Sequence, residues 1–220
     1  MILTNYGSFG ARMRLIKEVR FFGLVIKLLF VLWSASYPIA SFAAEPNLVV
    51  EKFHASLLSV MKIASNSAIM ERYKALEPAI ENAFNLPFMT RITVGSRWRK
   101  AGKNEKIDLI HAFKRMSVGT YASRFDGYSG QSFRTLKVRA GPKDTRLVDT
   151  LLKNPSGSDV RLTYVTRKFG EDWKIIDVLL DRGISEMAVR VSEFRAILRS
   201  NGLVGLTRAL NKKTSKLLKN

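Results

Sequence analysis

Alternating apolar and polar side chains in the second half of the chain predict two neighbouring β-strands. The first covers residues 160–167, and the second covers residues 173–180 after a turn at residues 169–172. Along the second strand, Ile176, Val178 and Leu180 point to one face, while Trp173, Ile175 and Leu179 point to the other. Because both faces are apolar, the strand needs apolar cover on both sides. Helices can supply one cover, and the other is either packed protein or a bound apolar ligand.

The hydrophobic pattern as a whole predicts four strands between two helical regions. The strands cover residues 131–140, 145–153, 160–169 and 173–181, joined by short connections that are rich in turn-forming residues. Helical spacing of apolar residues begins at Pro46, with a break expected at Pro78, and returns after Gly183 in two helices separated at Gly202. The sequence therefore predicts one α+β domain, in which N- and C-terminal helices pack on a four-stranded antiparallel sheet.

The first 43 residues have the segment order of a secretory signal peptide. Basic residues come first, an apolar run at residues 21–33 follows, and small residues lead to Ala43. We expect cleavage near this point, so that residues 44–220 form the mature domain. The alternative is an uncleaved inner-membrane anchor at residues 21–33, although this run is shorter than the roughly 20 residues of a membrane span. Translation starts at either Met1 or Met13.

Charge and residue usage narrow the classes of partner. The net charge is +19, and +15 remains beyond residue 43 because the leader contains five bases and one acid. Such an excess favours nucleic acid, an anionic membrane surface or an acidic protein. An exported protein does not normally meet nucleic acid, so the last two are expected. The chain has no cysteine and only His54 and His111, so we expect no metal or cofactor.

Few residues are candidates for catalysis. His54 and His111 lie outside any known nucleophile or metalloenzyme motif. Asp177 interrupts an apolar strand, so we expect a structural ion pair, or else a group at the mouth of a cavity. A basic cluster around Trp98 is either a solvated face or a docking surface for anionic lipid or a membrane-bound partner. Its members are Arg91, Arg97, Arg99 and Lys100.

Seven short motifs follow one another along the mature chain. They are F-N-L-P-F-M-T-R at 84–91, V-G-S-R-W-R-K-A at 94–101, Y-A-S-R-F at 121–125, Y-S-G at 128–130, W-K-I-I-D-V at 173–178, G-I-S at 183–185 and S-E-F at 192–194. In their order and spacing, the chain resembles the MlaC and toluene-tolerance family of periplasmic lipid carriers. Residues 184–190 are similar to the hopanoid-associated HpnM branch, since residues 189–191 depart from the Asn-Tyr-Arg-like run of the common pattern.

The resemblance implies a curved sheet and helices that enclose a deep apolar cavity for lipid acyl chains. It also implies a periplasmic carrier that works with an inner-membrane ABC transporter and an outer-membrane component, with a phospholipid or a hopanoid as cargo. We expect the lipid site to be lined by Phe84, Met89, Trp98, Tyr121, Tyr128, Tyr164, Ile176, Val178, Ile184, Met187 and Phe194. The expected contacts to a headgroup or a partner are Arg91, Arg97, Arg99 and Lys100.

Two other classes of protein stay open at this point. One is a structural or adaptor subunit of a lipid-transport complex, whose interior is filled by its own side chains. The other is an enzyme of lipid or hopanoid modification that uses Asp177 or His111 as acid or base. A continuous apolar cavity of at least about 300 Å³ distinguishes a carrier from an adaptor with a packed interior.

Overall fold

The computed structural model describes residues 45–181 and 183–219, which belong to one compact unit. The helices are α1 (Pro46–Ile63), α2 (Ile69–Ala83), α3 (Leu86–Val94), α4 (Arg97–Lys100), α5 (Lys103–Arg124) and α6 (Glu186–Leu217), and a 3-10 turn at Ala64–Asn66 follows α1. The strands are β1 (Ser132–Ala140), β2 (Thr145–Lys153), β3 (Val160–Phe169), β4 (Asp172–Leu180) and β5 (Ile184–Ser185). The predicted α+β class, with helices before and after an antiparallel sheet, is confirmed.

The sheet has five strands in the order β1-β2-β3-β4-β5, and every neighbouring pair is antiparallel. The predicted number of four strands is therefore wrong by one. The additional strand, β5, pairs with the end of β4 through Leu179 with Ser185 and Leu180 with Ile184. Two residues are too few to show an alternating pattern, so hydrophobic periodicity did not reveal this strand.

A β-bulge between β3 and β4 changes the direction of side chains along β4. Asp177 pairs with Val165 and Ile175 pairs with Thr166, which leaves Ile176 without a cross-strand partner. Both Ile175 and Ile176 are buried as a result. The alternation expected from the sequence does not hold across this residue, because a bulge inserts one extra residue into the pleat.

Asp177 links β4 to the start of α6 through hydrogen bonds. Its carboxylate accepts from the backbone N–H of Val178 at 2.8 Å, from the backbone N–H of Met187 at 3.0 Å and from the Ser185 hydroxyl. The Ser185 hydroxyl in turn accepts from the backbone N–H of Ala188 and caps α6. Burial raises the pKa of Asp177, although these hydrogen bonds act in the opposite direction. Among the described residues, hydrogen bonds thus take the place of the expected ion pair.

Helix α2 continues through Pro78, contrary to the predicted break. Tyr73 and Leu76 before the proline and Ile80 after it are buried, whereas Pro78 itself is exposed. Burial of one apolar stripe on both sides of Pro78 offsets the roughly 3 kcal/mol that a proline costs inside a helix. At Gly202, by contrast, α6 kinks at the predicted position, with φ 62° and ψ −161°.

The hydrophobic core lies between the helices and the sheet. Phe53 of α1, Val148 of β2, Tyr164 of β3 and Ile175 of β4 all belong to it. The described residues contain no helix that is both long and apolar enough to cross a membrane. The predicted leader at residues 1–43, with its alternative anchor at residues 21–33, lies outside the described residues.

Candidate ligand-binding cavity

A cavity of about 630 Å³ lies between the helices and the sheet. Its buried end is apolar and is formed by Ile80, Phe84, Met89, Phe113, Tyr164 and Val178. Its other end is formed by polar or exposed residues, which are Arg124, Asp126, Tyr128, Ser129, Gln131, Asn154, Glu186 and Arg190. The cavity therefore leads from a charged mouth at the surface into an apolar interior.

Strands β3 and β4 form one wall of this interior with two cross-strand pairs. Tyr164 pairs with Val178, and Leu162 pairs with Leu180. Residues two apart on a strand face the same side, so all four side chains line the cavity. Because these pairs lie beyond the bulge at Ile176, their side chains keep a regular alternation.

His54 supports this wall from behind. It is buried, its Nε2 atom shares a hydrogen bond of 2.9 Å with the Tyr164 hydroxyl, and its ring stacks on Phe133 with centroids 3.9 Å apart. Burial lowers the pKa of His54 to about 3, so the imidazole is neutral at physiological pH. Burial also raises the pKa of Tyr164. His54 does not line the cavity and is a structural partner of Tyr164.

The burial of His54 predicts a loss of stability in mild acid. The unfolded side chain takes up a proton near pH 6.5, whereas the folded one takes it up only near pH 3. Between about pH 6.5 and pH 4.5 the unfolded state therefore binds more protons, which lowers the free energy of unfolding by about 2 kcal/mol. His54→Gln retains hydrogen-bonding groups but does not titrate. Urea unfolding at both pH values should show about 2 kcal/mol less pH dependence in this variant, and an unchanged pH dependence would contradict the prediction.

Charged side chains from two helices meet at the mouth of the cavity. Arg124 ends α5, and Glu186 and Arg190 lie in the first two turns of α6. Glu186 Oε1 lies 3.5 Å from Arg124 Nη1, and Glu186 Oε2 lies 3.9 Å from Arg190 Nη2. None of these three residues was among the predicted site residues. The four-residue spacing of Glu186 and Arg190 places them on one helix face, but only the fold brings them to Arg124.

Seven of the eleven predicted lining residues lie on the cavity wall. They are Phe84, Met89, Tyr121, Tyr128, Tyr164, Val178 and Met187. They come from separate parts of the chain, which the fold brings around one space. Their position makes these side chains available to a ligand.

The other four predicted lining residues do not lie on the wall. Trp98 of α4 packs at the edge of the core, with Lys106 Nζ 5.7 Å from its ring centroid. Ile176 lies in the bulge, and Ile184 of β5 is 59% exposed. Phe194 is buried in the core farther along α6. Periodicity identifies buried side chains but does not distinguish a filled core from a cavity, which accounts for Phe194 and Ile176.

The four predicted headgroup residues also lie away from the cavity. Arg91 is exposed on α3, and the other three are exposed on α4. The guanidinium groups of Arg91 and Arg167 lie 5.1 Å and 5.7 Å from the ring centroid of Phe88. None of Arg91, Arg97, Arg99 and Lys100 lines the cavity, because α3 and α4 turn them towards solvent. They form a separate basic surface.

Fold and cavity together define a small α+β domain with a cavity that is apolar inside and charged at its entrance. The sequence model of the family described as MlaC protein matches residues 51–212. Since this match covers most of the chain, the protein belongs to the MlaC family, as its motifs predicted.

The chain is also similar to a solved structure of a phospholipid-binding protein from Ralstonia solanacearum, which was determined in complex with a phospholipid. The TM-score is 0.70 at 20% sequence identity, and the alignment covers 79% of this chain and 99% of the other. At this identity the similarity establishes the fold. No curated protein sequence matches the chain.

Proposed function

We propose that this protein is a non-enzymatic carrier that encloses the apolar part of a membrane lipid and moves the lipid between membranes. The observation that carries the proposal is the cavity of about 630 Å³, apolar inside and charged at its mouth. This volume lies within the range of about 300–1,000 Å³ that is usual for ligand sites. Membership of the MlaC family, and the phospholipid in the Ralstonia solanacearum structure, support a lipid as the ligand.

The physical advantage of such a cavity is the removal of apolar surface from water. A lipid that crosses an aqueous space alone exposes its acyl chains at a cost of roughly 25 cal/mol per Å². Phe113, Leu162 and Val178 offer apolar contacts in place of water along the cavity. The charged mouth allows a polar headgroup to stay near solvent, so the carrier lowers the barrier to transfer without burying the headgroup.

We place this carrier in the periplasm, because residues 1–43 have the segment order of a signal peptide. Its partners would be an inner-membrane ABC transporter and an outer-membrane component, as the family resemblance implies. The cargo is a phospholipid, with a hopanoid as the alternative that the HpnM-like residues 184–190 suggest.

The basic surface on α3 and α4 is the proposed contact with an anionic membrane during transfer. Residues 82–104 contain five bases and no acid. Ile92 on the same helix as Arg91 is 41% exposed, so cations and an apolar side chain share this surface. Such a combination favours an anionic bilayer, which attracts the cations and accepts the apolar group.

The two rival classes find less support in the geometry. The adaptor alternative requires a filled interior, and a cavity of about 630 Å³ is present instead. The enzyme alternative relies on Asp177 or His111, neither of which lines the cavity. The carboxylate of Asp177 is engaged by Ser185 and two backbone amides, and His111 is exposed on α5.

Native mass spectrometry of protein purified without detergent tests the carrier function. We expect the protein to carry a lipid, which extraction and lipid analysis then identify. Consistently lipid-free protein that also lacks a competable site for a fluorescent lipid would contradict the proposal.

A variant with Arg97→Glu and Arg99→Glu, purified in the same way, tests the membrane contact. It should keep its lipid but float less than the wild-type protein with vesicles containing phosphatidylglycerol. Unchanged flotation would argue against membrane contact through this surface.

A further inference from the structure

The mouth of the cavity contains hydrogen-bond donors for which the described residues provide no acceptor. The Arg190 side chain is only 12% exposed and lines the cavity. Its Nη1 atom donates to Glu193 Oε2 over 3.2 Å, whereas Nη2 lies 3.9 Å from Glu186, too far for a hydrogen bond. Of the five N–H groups of the guanidinium, one is hydrogen-bonded to a described residue, and no described residue accepts from the other four.

Tyr121 supplies another donor to the wall of the same cavity. Its ring packs against Phe53 and Phe125, and its hydroxyl makes no hydrogen bond with residues 45–181 or 183–219. Burial raises the pKa of Tyr121, Glu186 raises it further, and Arg124 and Arg190 act in the opposite direction. Tyr121 lines the same cavity as Arg124, Arg190 and Glu186. With its pKa raised, the hydroxyl remains a neutral hydrogen-bond donor in this cavity.

We propose that Arg124, Arg190 and Tyr121 bind the phosphate group of a phospholipid, an inference that rests on the proposed carrier function. Phosphate oxygens accept hydrogen bonds, and a guanidinium donates to two of them in parallel. A guanidinium that is largely removed from water and has few partners gains most from such an acceptor. With the phosphate at the mouth, the acyl chains extend into the apolar interior.

The charges at the mouth indicate which kind of phosphate fits. Arg124 and Arg190 are positive, and Asp126 and Glu186, which also line the mouth, are negative. A phosphate beside the arginines leaves the two carboxylates to face the outer part of the headgroup. A zwitterionic phosphodiester such as phosphatidylethanolamine matches this arrangement, since its ammonium group can approach the carboxylates. An uncharged hopanoid makes no such match.

The test compares phosphatidylethanolamine with a diacylglycerol that has the same acyl chains, both as competitors of a fluorescent lipid. The wild-type protein should bind phosphatidylethanolamine at least about tenfold more tightly. Arg190→Gln should weaken that binding roughly tenfold to a hundredfold, and Tyr121→Phe about twofold to tenfold, with little change for diacylglycerol. Arg195→Gln is the matched control, because Arg195 is exposed on the same helix and lies outside the cavity.

The possible outcomes distinguish failure of the phosphate site alone from failure of the carrier function. Equal affinity of the wild-type protein for the two lipids, or unchanged phosphatidylethanolamine affinity in both variants, overturns the phosphate site and leaves the carrier intact. Failure to bind either lipid overturns the carrier function and the phosphate site with it. Displacement of the lipid by inorganic phosphate assigns the mouth to free phosphate and also overturns the lipid assignment. Tyr121→Phe removes only a hydroxyl group and keeps the test valid if Arg190→Gln does not fold.

Discussion

Val178→Trp is expected to lower the affinity for a bound lipid at least about tenfold, by placing an indole ring in the space that acyl chains would occupy. Val178 lies on β4 opposite Tyr164, is 7% exposed, and lines the apolar part of the cavity. A larger side chain normally strains a packed core by about 1–3 kcal/mol. Here the cavity can accept much of the added volume, so the protein should fold while its lipid is excluded.

The matched control for this variant is Val138→Trp. Val138 lies on β1 of the same sheet, is 41% exposed and does not line the cavity. Lipid occupancy by native mass spectrometry, and displacement of a fluorescent lipid, should fall in Val178→Trp and stay at the wild-type level in Val138→Trp. A folded Val178→Trp protein with full occupancy would show that the lipid binds elsewhere.

Phe53→Ala is expected to lower the free energy of unfolding by about 3–5 kcal/mol, a large part of the total stability of a typical domain. Phe53 is 2% exposed, and its ring meets the rings of Phe84, Tyr121 and Tyr164 at centroid distances of 5.0, 5.2 and 6.5 Å. The substitution removes apolar contacts and three edge-to-face aromatic pairs. Because these three partners line the cavity, Phe53 also holds the aromatic part of its wall in place.

Urea unfolding of Phe53→Ala beside Leu48→Ala measures this contribution. Leu48 lies on the same helix but is 43% exposed, so its truncation should change stability by no more than about 0.5 kcal/mol. A loss below about 1 kcal/mol in Phe53→Ala would mean that the aromatic cluster is loosely packed and that the wall does not depend on it.

Local patterns in the chain were sufficient to predict most secondary structure. The alternation of β3 and the turn before β4 are visible because side chains on a strand repeat every two residues. The same two-residue repeat placed Tyr164 and Val178 on an apolar face. It failed at Ile176 and at β5, since a bulge and a two-residue strand depend on hydrogen bonds to a neighbouring strand. The helix break predicted at Pro78 is also absent, because burial on both sides of the proline maintains α2.

The candidate site was less predictable than the fold. A stripe of apolar residues shows which side chains leave water, but the same stripe occurs in a filled core and along a cavity. The sequence therefore predicted Phe194 and Phe84 equally as lining residues, although only Phe84 lines the cavity. The basic cluster at residues 91–100 does not line the cavity. The isolated Arg124 and Arg190, 66 positions apart in the sequence, are the ones that lie at the mouth.

The sequence alone determined the α+β class, the antiparallel order of β1 to β4, the family and the apolar character of the interior, because each of these follows from short-range periodicity, turn residues or motif spacing. Only the tertiary structure decided that part of the interior is open, and that Arg124, Tyr121 and Arg190 line the same cavity. Those features depend on how helices and sheet are spaced and oriented, and the contacts that set this spacing join residues far apart in the chain.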